Sequence, residues 1–127
     1  MEFFETACCN LSAEQLQQMI TGPQLSAWCA SIDRVLEWEG ERGEMYCLWG
    51  QFQVNREHIR DGLRFTLPHC PNALAWTLTS ENDAESGRPA EVLVHCTINR
   101  AVHEPDFIES IETFVEDWRL GLEKRGR

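Results

Sequence analysis

"EMYCLWGQFQV", residues 44–54, decides the fold, because from Glu44 the apolar side chains recur at every second position rather than along a 3.6-residue period. Side chains on a strand alternate between faces. Tyr46, Leu48, Phe52 and Val54 therefore share one face, and Met45, Cys47, Trp49, Gln51 and Gln53 the other. Gly50 falls among the first set and marks a bulge or a close backbone approach. A strand with one apolar face belongs to a sheet covered on one side, so the flanking segments must supply further strands and the covering helices.

Upstream, Ser12 is placed to cap a helix, with Gln15 answering at capping-box spacing. Thr21, Gly22 and Pro23 end that helix, and Pro23 suits the first turn of a second. There Leu25, Trp28, Cys29, Ile32, Val35 and Leu36 form one stripe of helical period, which predicts a helix to about Gly40. Downstream, a turn near Asn55 and Arg56 leads to a strand with Ile59, Leu63, Phe65 and Leu67 inward and His58, Arg60, Arg64 and Thr66 outward. The alternative turns the chain at Asp61-Gly62, a good hairpin dipeptide. Leu74, Trp76 and Leu78 mark a third strand, and Val92, Val94, Cys96 and Ile98 a fourth. No helical crossover of a dozen residues separates these runs, so they form an antiparallel meander.

The chain closes with "HEPDFIESIETFVEDWRLGLEKRGR". Phe107, Ile108, Ile111, Phe114, Val115, Trp118 and Leu122 make a wide apolar stripe, with Pro105 in the first turn. The expected architecture is α+β and two-layered: a four-stranded antiparallel meander, two N-terminal helices and one long C-terminal helix.

The 127 residues read as a single domain, 1–127, long enough to bury about two-thirds of its unfolded surface without a metal or disulfide staple. Residues 1–10 read as a mobile N-terminal segment and residues 81–89, polar and closed by Gly87 and Pro89, as an exposed loop. A formal charge of −10 repels polyanions and argues against nucleic acid. Lys124 is the sole lysine and sits in a charged tail, which disfavours Schiff-base chemistry. The N-terminus has no basic region followed by an apolar run, and no segment approaches the roughly 20 apolar residues of a membrane span. The six cysteines are accordingly expected as reduced thiols in a cytoplasmic protein.

Two His-Cys pairs invite a catalytic or metal reading. His95 and Cys96 point to opposite faces of one strand and cannot chelate a metal together, and His69-Cys70 lies in a turn without zinc-ligand spacing. A site across strands from Cys47, His58 and His95 has no spacing to support it. The chain carries no phosphate loop, GxSxG or HExxH, and Glu109, Glu112 and Glu116 are spaced as a solvated helix face. Neither a metal nor a cofactor nor a catalytic residue is expected.

What stands out is the sheet face away from the helices, which gathers Met45, Trp49, His58, Arg60, Arg64 and His95 in an otherwise acidic chain. Trp, Met and Arg are enriched at interface cores. This predicts a non-catalytic adaptor whose open face forms a homodimer or partner surface, with Trp49 as anchor and Arg60 and Arg64 pairing an acidic partner or anionic ligand. The competing account places Trp49 under Phe3 and Phe4 of the N-terminal segment.

The order of elements also resembles helix-grip lipid-binding domains, although fewer strands are legible here. That resemblance implies an alternative function: a small-molecule carrier or enzyme with its ligand between the sheet and the terminal helix, against Phe65, Trp76 and Trp118.

Overall fold

The computed structural model describes residues 1–81, 87–99 and 102–126. The elements run β1 (Glu2–Cys8), α1 (Ala13–Met19), a 3-10 turn (Gly22–Gln24), α2 (Leu25–Trp28), β2 (Ile32–Glu39), β3 (Arg42–Cys47), β4 (Gly50–Ile59), β5 (Gly62–Thr66), β6 (Ala75–Ser80), β7 (Glu91–Thr97) and α3 (Pro105–Arg125). All strands join one antiparallel sheet in the order β1-β7-β6-β5-β4-β3-β2. The α+β class, the antiparallel sheet and the long C-terminal helix hold, but the sheet has seven strands where four were expected.

Three physical causes account for the extra strands. The expected helix beyond Trp28 is strand β2. Its register against β3 slips twice, so that Ile32 pairs with Cys47, Val35 with Met45 and Trp38 with Gly43. Each β-bulge adds one residue to the bulged strand. The inward positions of β2 therefore fall three apart and imitate a helical stripe. The run 44–54 is two strands, because Leu48 and Trp49 form a turn and Gly50 takes φ +106°, a conformation open to glycine. Finally, residues 2–8 pair along β7 as an edge strand, with Phe3 and Ala7 turned toward the core.

The turn expected near Asn55 and Arg56 lies instead at Arg60 and Asp61, between the paired Ile59 and Gly62. This is close to the alternative position, and it leaves Arg56 inside β4. Within the loop expected over 81–89, Glu81, Gly87, Arg88 and Pro89 are exposed, while residues 82–86 lie outside the described residues.

The N-terminal helices close one end of the sheet. The capping box of α1 forms as expected: Gln15 N–H donates to Ser12 Oγ (3.1 Å) and Ser12 N–H to Gln15 Oε1 (2.9 Å). Two polar clasps fasten α1 to the β4–β5 hairpin. Gln17 Nε2 donates to the carbonyls of Ile59 and Gly62, each at 3.0 Å. Arg56, buried, donates to the Ile20 and Gln17 carbonyls at the end of α1, to Glu41 at 2.8 Å and to His58 Nε2 at 3.1 Å. A helix C-terminus leaves its last carbonyls unsatisfied, and the guanidinium fork supplies donors to two of them.

Helix α3 lies across the sheet, burying Ile111, Phe114, Val115, Trp118 and Leu122. Its C-terminal half is the better anchored. Gly121 meets the Trp28 carbonyl so closely that any Cβ would collide with it. Arg119 bonds Glu123 at 2.7 Å and approaches Glu5 at 3.6 Å, and Asn10 N–H donates to the Gly126 carbonyl at 2.9 Å. Among the described residues, no helix is long and apolar enough to cross a membrane.

Gly121→Val forces α3 away from α2 and is expected to cost about 2 kcal/mol, in the range of overpacked cores. Leu120→Ala, on the exposed side of the same helix, should stay within about 0.5 kcal/mol. Urea unfolding of both variants checks this, and a neutral Gly121→Val result contradicts the close contact.

Candidate functional site

The side chains that meet between sheet and α3 are mostly aromatic. Phe65 on β5 and Trp76 on β6 are cross-strand partners on the inner face, and their rings stack with centroids 5.1 Å apart. From α3, Phe114 meets Trp76 edge-on at 4.8 Å, and Trp118 stands 6.1 Å from Phe65 and 6.3 Å from Trp76. All four rings are fully buried. Trp49 joins them from the β3–β4 turn, 4.9 Å from Phe114 and 6.3 Å from Phe107. Its indole N–H donates to Ser110 Oγ at 2.8 Å, and that hydroxyl in turn donates to the Phe107 carbonyl. Trp49, Phe107 and Ser110 thus form a half-buried rim where α3 begins.

Among the described residues, polar satisfaction fails at three points. Trp76 Nε1, Trp118 Nε1 and His103 Nε2 are buried without a hydrogen-bond partner. An unmatched buried donor costs about 1–3 kcal/mol, so native interiors rarely keep one. Here two sit in adjoining rings of the packed interior, while His103 stands at the rim, 5.3 Å from Phe107.

The same interior also carries thiols. All six cysteines are unbridged. Desolvation pushes the Cys96 thiol up to about 12, and burial raises Cys29, Cys47 and Cys9 as well. These buried thiols stay neutral at physiological pH and act as small apolar wall groups.

The residues expected on an open face do not share one. Met45 is fully buried among the core side chains, opposite Phe52. Trp49 lies on the helix side, and its cover is Phe107 and Phe114 rather than Phe3 and Phe4. Phe4 is exposed on the outer face and stacks on His95 at 4.4 Å, where Glu2 also reaches His95 Nε2 at 3.0 Å. Arg60 is exposed in the β4–β5 turn and His58 is exposed beside Arg56. Arg64 pairs with Glu57 at 2.8 Å in an open cleft of about 760 Å³ that also holds Glu39, Glu41, Arg42 and Arg56. Three carboxylates offset three guanidiniums there, so the cleft has little net field. The misplacement has two sources. The turn at Arg60 and Asp61 sets His58 opposite Leu63, in line with the core positions. The turn before Gly50 reverses the chain, so parity counted through residues 44–54 as one strand puts Met45 on the wrong side. Phe65, Trp76 and Trp118, reached through the helix-grip resemblance, do meet. The Ser110 partner of Trp49 had no signal in the sequence.

Trp49→Ala should destabilise the isolated chain by about 2–3 kcal/mol, below the 3–5 kcal/mol typical of a fully buried ring. An unchanged melting temperature would return Trp49 to the surface. The thiols set an alkaline limit. Below the ordinary value of 9.0, Cys96 is neutral in both states; above it the unfolded chain ionises while the native thiol holds its proton to about 12. Stability is therefore full below that window and falls as pH rises through it, by at most about 1.4 kcal/mol per pH unit for each such thiol. Urea unfolding with reductant present, between about pH 8 and about pH 10.5, should show this slope, and Cys96→Ala should flatten it.

No protein-family model matches the chain. No curated protein matches it. The fold has solved counterparts all the same. A START superfamily protein from Mycobacterium smegmatis aligns over 99% of this chain and 95% of its own, with a TM-score of 0.65 and 12% identity. A protein from Deinococcus radiodurans aligns over 100% of this chain and 94% of its own, with a TM-score of 0.61 and 17% identity. At such identities the likeness is one of fold. It corrects the adaptor reading, in which the open face serves as a homodimer or partner surface: Met45 and Trp49 face the core, and the fold is similar to that of the START superfamily protein from Mycobacterium smegmatis.

Proposed function

We propose that this chain binds a small, largely apolar molecule between the sheet and α3, in a reducing compartment where its unbridged cysteines remain thiols. The observation that carries this reading is the pair of buried, unpartnered indole donors, Trp76 Nε1 and Trp118 Nε1, in an aromatic interior under the gripping helix. Ligand sites are mainly apolar and aromatic, with a few polar groups that fix orientation. Those two donors are such groups, and the likeness in fold to the START superfamily protein supports placing a ligand here.

The side chains that fill the chamber must yield to a guest. The rim gives most cheaply, because Phe107, Ile108 and Trp49 are half-buried and Trp49 is tied by one hydrogen bond. A net hydrogen bond contributes only about 1 kcal/mol.

The neutral probe N-phenyl-1-naphthylamine should bind saturably at one site, quench tryptophan emission and raise the melting temperature as its concentration increases. Native mass spectrometry of freshly isolated protein should show an additional non-covalent mass. Absence of both saturable binding and retained mass would remove this reading.

A further inference from the structure

We infer that the ligand of this chamber is a neutral molecule whose recognised group is a carbonyl-type oxygen, accepting hydrogen bonds from Trp76 Nε1 and Trp118 Nε1. This rests on the small-molecule reading above and adds the chemistry that the chamber selects.

The donor inventory sets the class. An indole offers one N–H and accepts nothing, so the matching ligand atom must be an acceptor. One oxygen with two lone pairs can serve two donors. The donors sit in adjoining rings, one on β6 and one on α3, 6.3 Å apart between centroids. A chamber needing only bulk would be served by Phe at either position without the cost of an unmatched N–H. The two indoles therefore mark where the ligand's polar atom belongs.

The charge inventory excludes the obvious rival, a carboxylate. Ser31 and Arg56 are the buried polar or charged residues among those described. Arg56 is committed to two α1 carbonyls, Glu41 and His58. Ser31 Oγ donates to Asp117. No uncommitted buried cation is left among the described residues to meet an anion, and burying an unpaired carboxylate is very costly. The chain's charge of −10 adds a field that repels anions on approach. Desolvation keeps the Cys96 thiol, beside Trp76 in the sheet register, protonated. A bound carbonyl thus meets donors rather than a thiolate nucleophile. His103, at the rim with Nε2 unpartnered, is the described group through which an anion could compete.

Three probes of one ring system separate the possibilities: 2-acetylnaphthalene, 2-ethylnaphthalene and 2-naphthoate. The ketone should bind roughly tenfold or more tightly than the ethyl compound, the worth of one or two net hydrogen bonds. It should exceed naphthoate by at least as much. Trp76→Phe and Trp118→Phe should each reduce the ratio of ketone to 2-ethylnaphthalene affinity. In case a variant does not fold, the indole N–H signals of the wild-type protein, assigned by NMR, give an independent readout. Those of Trp76 or Trp118 should move downfield with the ketone and not with the ethyl compound. Equal binding of ketone and ethyl compound, with no such shift, overturns the inference while leaving a ligand chamber intact. Tightest binding by naphthoate, abolished by His103→Ala, overturns the neutral class in favour of an anion held at the rim. Failure of all three, together with N-phenyl-1-naphthylamine, removes the chamber itself.

Discussion

The contact between two tryptophans and two phenylalanines, Trp76 and Phe65 on the sheet against Phe114 and Trp118 on α3, is the interaction on which the remaining structure depends. Large rings bury about 150–250 Å² each. They force the helix to stand off the sheet by the thickness of the ring layer, and the sheet must wrap to enclose them. The bulges of β2 bend and twist that strand locally. Removing the rings would leave α3 with an apolar stripe and nothing to lie on.

The two ends of α3 are held by different physics. At the C-terminal half the backbone meets Trp28 at Gly121, while Arg119, Asn10 and Glu123 tie helix to edge strand by directional bonds. In the first turns, ahead of the buried Ile111, the hold is half-buried apolar surface and the Trp49–Ser110 bond. Local opening is least costly where few apolar groups are fully buried. The helix therefore opens most readily at its N-terminal end, the end that carries the aromatic rim. Meanwhile α1 stays clasped by Arg56 and Gln17, so the opposite end of the sheet keeps its shape during such a motion.

Much of this was legible in residue order. The Ser12–Gln15 box, the stripe of α3 and the inward sets of β5, β6 and β7 follow from local rules that tertiary context did not override. What was not legible had a common cause, the places where backbone irregularity changes the period of the pattern. Two bulges in β2 space Ile32, Val35 and Trp38 as a helix would. The turn at Leu48 and Trp49 reverses inside and outside for β3 relative to a single strand. Strand β1 was missed for another reason: it is an edge strand whose pairing partner lies some ninety residues away, beyond any local pattern.

The same irregularity decides which side chains face outward. With Met45 and Trp49 counted outward, the sheet seemed to offer an apolar, cationic outer face. With the turn before Gly50 in place, the apolar residues move inside, and the cations left outside meet carboxylates, as Arg64 meets Glu57. The charges of this chain are thereby confined to its surface and to one committed arginine, while its interior presents hydrogen-bond donors without charge. On the proposed reading, such an interior would discriminate by desolvation: a guest that must shed hydration from a charge would find no counter-ion to replace it, whereas a neutral acceptor would lose only the weaker bonds that the indoles restore. Selectivity of this kind would follow from the same ring packing that holds the fold together.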